Sequence, residues 1–445
     1  MSSAIDLSKT GYMVNGFDVG RTDELEPDLQ SIVRRRAEAL GPAYKLFYET
    51  PLQIVRGEGV YLYDKNGAAY LDVYNNVPSV GHCHPHVVEA VTKQMGTLNT
   101  HTRYASEQIL DYSERLLATF PAEIGNIMYT CTGSEANDLA LRVARNYTKA
   151  RGVIVTDYAY HGTTATITEI SPTMGPNVPI GEHVRTVPAP RPRTDGRGVG
   201  EVFAEDVSAA IADLERHGIG FAALIVDTIF STDGVLPDPA GFLASAVDTV
   251  HAAGGLFIAD EVQPGFGRTG VGMWGFARHG VVPDLVVMGK PMGNGLPIGA
   301  MAARPEVLAE FGSKVRYFNT FAGNSVCIAA ANAVLDVLDD EKLLDNCTNV
   351  GAYLLEQTAQ VAGRYDSISD VRGVGLFLGV DFVTADGTPD AGKTLRVVNG
   401  LRERRILIGA TGADANGLKI RPPLPFTREH VDIFIDAFDQ AVAAS

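Results

Sequence analysis

Five short apolar runs constrain this chain more than any other feature: "NIMYTC" to Cys131, "GVIVTD" to Asp157, "AALIVD" to Asp227, "GLFIAD" to Asp260 and "DLVVMG" to Gly289. Stretches of helical periodicity separate them, and strands that are apolar throughout need cover on both faces. The alternation predicts an α/β fold, a buried and mainly parallel sheet clothed in helices. From Ser134 to Tyr147 the residues Ala136, Leu139, Ala140, Val143, Ala144 and Tyr147 recur at helical spacing and make one core-facing stripe. A helix therefore opens directly after Gly133.

At 445 residues the chain exceeds the usual single domain, so a large domain with a smaller companion is expected. The expected division is 1–64 as an N-terminal arm and part of the small domain, 65–330 as the large domain, and 331–445 as a small α+β domain. Residues 1–40 are polar and weakly periodic, which suggests an arm lying across another surface. "GEGVYLYDKNGAAY" (57–70) alternates about a "KNG" turn and reads as a hairpin. Residues 187–199, rich in Pro, Arg and Gly, read as an exposed loop. The C-terminal part contains the strand pair "VRGVGLFLGVDFV", a helix and "GLKIRPPLPF".

The formal charge of -16 argues against nucleic-acid binding, which needs a cationic field. Cys83, Cys131, Cys327 and Cys347 form no CxxC pair and too sparse a set for a disulfide scaffold. With no signal-like N-terminus and no apolar run of membrane-spanning length, a cytoplasmic protein with no membrane role is expected.

In open α/β sheets ligands gather beyond the carboxyl ends of the strands, so the residues at the strand tips carry the functional information. Thr132-Gly133-Ser134 places small residues and free amides at a helix start, a phosphate cradle or simply an N-cap. Asp260 ends an almost wholly apolar strand, where a carboxylate needs a cationic or proton-donating partner; the bland alternative is a turn cap. Lys290 follows another buried strand inside the Gly-rich "GKPMGNG", where a desolvated amine suits Schiff-base chemistry. Each signal alone is weak, but their combination with Tyr160-His161-Gly162 is not. His82, His84 and His86 alternate without a further ligand cluster, so no metal site is expected.

In content, order and spacing, "YLDVYNNVPSVGHCHP", "TGSEAND", "AYHG", "FIADEVQPGFGRTG", "VVMGKPMGNGLP", "FNTFAGN" and "RPPL" resemble the class III aminotransferases, fold type I pyridoxal 5'-phosphate enzymes, over residues 40–440. The resemblance implies roles. Lys290 would carry the cofactor as a Schiff base and move protons, and Asp260 would keep the pyridine nitrogen protonated. Tyr160 would stack on the ring and Gln263 lie near its hydroxyl. Gly133 and Ser134 would hold the phosphate, joined by Thr320 from a neighbouring subunit, so a homodimer with shared active sites is implied.

Two departures from the family pattern bear on the substrate. Members that use 2-oxoglutarate carry an arginine where this chain has Lys419, and a glutamate in "EPxQGE" where it has Thr232. Lysine lacks the planar two-pronged grip of arginine on a carboxylate. "NNVPSVGHCHPHVVEA", "LNTHTRY", "DTIFSTDGVLPDP" and "LKIRPPLPF" resemble instead the phospho-lyase subgroup, whose members act on phosphoethanolamine or phosphohydroxylysine; the expected substrate is phosphoethanolamine, giving acetaldehyde, ammonia and phosphate. Arg268, Lys419 and Arg421 are the candidate phosphate donors, with Arg268 alternatively structural. A transaminase using pyruvate or glyoxylate is the alternative reaction, and a catalytically silent scaffold on the same fold is the alternative class.

Overall fold

The computed structural model describes residues 13–192 and 195–445. Fifteen strands form three sheets among the described residues. Strands β1 (Ile54–Glu58), β2 (Tyr61–Asp64) and β3 (Ala69–Asp72) make an antiparallel meander. The expected hairpin is its second half: Asp64 Oδ1 accepts from the amides of Asn66 and Ala68, both at 2.9 Å, and Gly67 takes φ +81°. A side chain at Gly67 would be strained there.

The central sheet holds β4 (Asn126–Thr130), β5 (Gly152–Thr156), β6 (Val184–Val187), β7 (Phe221–Asp227), β8 (Leu256–Asp260), β9 (Leu285–Met288) and β10 (Gly299–Ala303), in the order β4-β10-β9-β8-β7-β5-β6. The pairs β5–β6, β5–β7, β7–β8 and β8–β9 are parallel, while β10 runs antiparallel to both its neighbours. The fold is thus the α/β architecture of the fold type I enzymes. All five apolar runs became strands; β6 and β10 were not foreseen. "GAMAA" in β10 has neither branched residues nor alternation, so nothing in its pattern distinguishes it from a loop, yet all five of its residues are buried.

Helix Gly133–Thr148 begins where the stripe places it. Thr132 accepts from the amide of Glu135 at 3.1 Å as N-cap, and Ala136, Leu139, Ala140, Val143 and Ala144 are buried. Burying a side chain such as Leu139 or Val143 contributes about 1.5–3 kcal/mol.

The third sheet contains β11 (Ile368–Val374), β12 (Phe377–Phe382), β14 (Gly409–Thr411) and β15 (Gly417–Ile420). The remaining strand, β13 (Ile406–Leu407), pairs in parallel with β3, so the C-terminal segment completes the N-terminal sheet. The division expected at 330/331 falls inside the continuous helix Ser325–Asp340, and that at 64/65 falls in the turn between β2 and β3.

The expected arm differs from what is found. Residues 1–12 lie outside the described residues, but Pro27–Leu40 is a helix with proline at its first position, and Phe17, Leu25 and Val33 form a small apolar cluster. Three apolar side chains spread over seventeen residues are too sparse to register as periodicity. Residues 188–198 contain no helix or strand among those described and are largely exposed.

Candidate active site

The parallel strands bring their carboxyl ends to one edge, where a cavity of about 320 Å³ is lined by Gly133, Ser134, Tyr160, Asp260, Gln263 and Lys290, among others. Six of the seven residues expected to hold the cofactor therefore share one cavity. Lys290 stands just beyond β9. Burial, with Arg421 nearby, lowers its amine to about 8, against the opposing pull of Asp260 and Asp227. An amine so lowered keeps a neutral fraction of roughly a tenth to a fifth near physiological pH, far more than an ordinary lysine.

Asp260 is 5% exposed and fully engaged. Its Oδ2 accepts from Asn137 Nδ2 at 2.9 Å and meets His161 Nδ1 at 2.7 Å, while Oδ1 accepts from the amide of Val262 at 3.1 Å. Asn137 also donates to the carbonyl of His161 at 2.8 Å, so the helix Gly133–Thr148 and the Tyr160-His161-Gly162 turn hold the carboxylate jointly. Asn137 was not singled out from sequence. The signal available was a polar residue beside the apolar stripe, which is too common to act on.

At the helix start, the amides of Gly133 and Ser134 lie in the first turn and have no intrahelical acceptor. Close packing keeps this corner small: a Cβ on Gly133 would come within 2.9 Å of Val262, and one on Gly162 within 2.3 Å of Ser134 Oγ. Ser134 Oγ accepts from the amide of Thr163 at 3.1 Å. Free amides at a dipole's positive end, a buried lysine of lowered pKa and an anchored carboxylate fit the phosphate, aldehyde and ring nitrogen of pyridoxal phosphate. Thr320 lies elsewhere. It is exposed and borders a different cavity with Glu135, Arg142 and Arg316.

The three basic candidates for the substrate behave differently. Arg268 is 2% exposed and its Nη1 donates to the carbonyls of Leu376, at 3.2 Å, and Pro422. Burial lowers it to about 10. Those bonds join Arg268 to the segments just before β12 and just after β15, which lie side by side, so its Nη1 serves a structural clamp. Arg421 donates through Nη1 to Gln263 Oε1 and stacks its guanidinium 4.5 Å from the Tyr74 ring centre, with Nε buried and unpartnered.

The side chain of Lys419 has no hydrogen bond or ion pair among the described residues, although the residue is only 7% exposed. It sits on β15 opposite Gly379 and Gly409. Burial and then Arg421 hold its amine well below the ordinary lysine range, opposed by Asp227. In place of the family's glutamate segment, Asp227 accepts from the hydroxyl of Ser231 and from the amide of Ile229 at 3.1 Å. Burial raises both Asp227 and the nearby Asp233, the latter to about 6.

The chain belongs to the class III aminotransferases, a pyridoxal-phosphate-dependent family, which it matches over residues 46–442. It is 39% identical over 432 residues to a Drosophila melanogaster "alanine–glyoxylate aminotransferase 2-like" protein, covering 93% of this chain and 87% of the relative. It is 37% identical over 436 residues to the Caenorhabditis elegans "ethanolamine-phosphate phospho-lyase homolog 1", covering 93% of each. Among solved structures, it superposes with a TM-score of 0.90 and 43% identity on an Arthrobacter phospholyase in complex with phosphoethanolamine, covering 93% of this chain and all of that one.

Proposed function

We propose that the protein is a phospho-lyase that cleaves phosphoethanolamine with one water to acetaldehyde, ammonia and inorganic phosphate. The observation that carries this reading is Lys419, a buried amine whose side chain has no hydrogen bond or ion pair among the described residues. Burial favours the neutral form of this amine and a bound dianion would favour the charged one, so phosphate binding and protonation of Lys419 support each other. Bound pyridoxal phosphate supplies an electron sink for the carbon next to the substrate nitrogen.

The residues divide the work. Asp260, held by Asn137, His161 and Val262, keeps a proton on the ring nitrogen. Lys290 Nζ removes the proton from the carbon bearing nitrogen. Lys419 and the free edge of Arg421 stabilise charge on the phosphate as its bond to the neighbouring carbon breaks. No keto acid takes part, which agrees with the absence of the arginine and glutamate that handle one.

The alternative is transamination with pyruvate or glyoxylate, and the 39% identical Drosophila relative favours it. One experiment separates them. Phosphoethanolamine supplied without any keto acid is expected to yield phosphate, ammonia and acetaldehyde in equal amounts. Alanine or glycine formed from an added keto acid, with no phosphate released, would overturn the lyase reading.

A further inference from the structure

Arg421 does not point freely at a substrate. Its Nη1 donates to Gln263 Oε1, and Asn76 Nδ2 donates to the same oxygen at 3.3 Å. Both donors are buried, Arg421 at 8% and Asn76 at 4% exposure. Arg421 is itself pinned, by its amide to the carbonyl of Val73 at 2.9 Å and by the Tyr74 ring beneath it. With its oxygen taken twice, Gln263 has an amide NH2 without a hydrogen-bond partner among the described residues, on a side chain that lines the Lys290 cavity.

An amide can rotate by half a turn with almost no change of shape, so a lone glutamine would present oxygen or nitrogen with similar ease. A guanidinium that never loses its charge removes that freedom, because the turned amide would set donor against donor. Of the two polar ring groups of pyridoxal phosphate, the nitrogen belongs to Asp260. The hydroxyl remains, next to the carbon that Lys290 attacks, and Gln263 is the one side-chain amide in the described lining.

We propose that Arg421 is a positioning residue: with Asn76 it holds the Gln263 oxygen outward and so turns the Gln263 NH2 toward the hydroxyl of the cofactor ring. A donor there spreads the negative charge of the hydroxyl oxygen and weakens its hold on the proton at Lys290 Nζ. Arg421 thereby sets the protonation of the resting enzyme before any amine arrives. The inference does not depend on which amine is the substrate, since it concerns the holoenzyme alone.

The test is the pH midpoint of the cofactor's visible absorption in purified holoenzyme without substrate. Arg421→Lys keeps the charge but loses the bond to Gln263, and the midpoint is expected to rise by on the order of half a unit to one unit. Asn76→Ala should move it in the same direction by less. In a Gln263→Ala background, Arg421→Lys should add no further shift. Unchanged midpoints in both R421K and N76A would overturn the proposal, as would a full R421K shift that persists without Gln263. Should R421K fail to retain cofactor, N76A, which leaves the guanidinium in place, decides the matter by the same criterion.

Discussion

Two regions of the molecule are both built from buried charge, yet they treat it in opposite ways. At the end formed by β8 and β9, Asp260 meets three donor groups and its position is over-determined. Around β15 and the segment after it, three basic side chains lie close together and make no ion pair among the described residues, although Asp227 and Asp233 pull on Lys419. Arg268 donates to carbonyls, Arg421 to an amide oxygen, and Lys419 to nothing described. A buried charge with its partners in place is scaffold. One without them is a receptor for a charge that arrives from outside.

The largest effect expected from this contrast is at Lys290. Replacing it with Ala removes the cofactor's attachment and the proton shuttle together, so phosphate release should fall on the order of 10,000-fold or more. Substantial multiple turnover in that variant, with no added amine, would break the assignment of the cofactor end. The same residue gives a pH test. Only the neutral amine attacks an aldehyde, so capture of pyridoxal phosphate by apoenzyme should quicken as pH rises and level off above about 8, not near the 10.5 of an ordinary lysine. Stopped-flow absorbance would show it.

Next in size is Lys419→Met. If the unpaired amine meets substrate phosphate, kcat/KM for phosphoethanolamine should drop by on the order of 2–5 kcal/mol, roughly 30- to 5,000-fold. Cofactor binding should be nearly unchanged and the folded state more stable. A variant as active as the wild type would remove the receptor half of the comparison.

Arg268→Met sharpens the contrast from the scaffold side. It orphans the carbonyls of Leu376 and Pro422 and should cost about 2–3 kcal/mol of stability, read from denaturant unfolding, with little change in KM. A large rise in KM without loss of stability would return Arg268 to the substrate. The smallest effect is Thr320→Ala. If Thr320 reaches a neighbouring subunit's cofactor phosphate, the dissociation constant should rise about 5- to 10-fold, as for one lost hydrogen bond to a charged group. Wild-type affinity would remove the shared-site argument.

The cofactor end was legible in the chain because each of its residues follows a strand or opens a helix. Periodicity locates those boundaries, and the α/β rule carries the tips to one edge. Lys290, Asp260, Gly133 and Ser134 could therefore be named without knowing any distance. What holds them could not. Asn137 is one polar residue beside a helix stripe, and its bond to Asp260 spans 123 positions. The helix Pro27–Leu40 and strand β10 escaped for a related reason, since sparse or small apolar residues carry little periodic signal.

The basic residues show where sequence and structure part. Charge, residue type and strand position are properties of the chain alone, and they named Arg268, Lys419 and Arg421 together, with a structural alternative for Arg268. Which of the three is paired depends on carbonyls and amides that arrive from elsewhere in the chain: Leu376 108 residues away from Arg268, and Gln263 158 residues away from Arg421. Hydrogen bonds are decided within a few tenths of an ångström. No local pattern constrains separations across so much chain to that precision, so only the packed sheets could leave the Lys419 amine without a partner among the described residues.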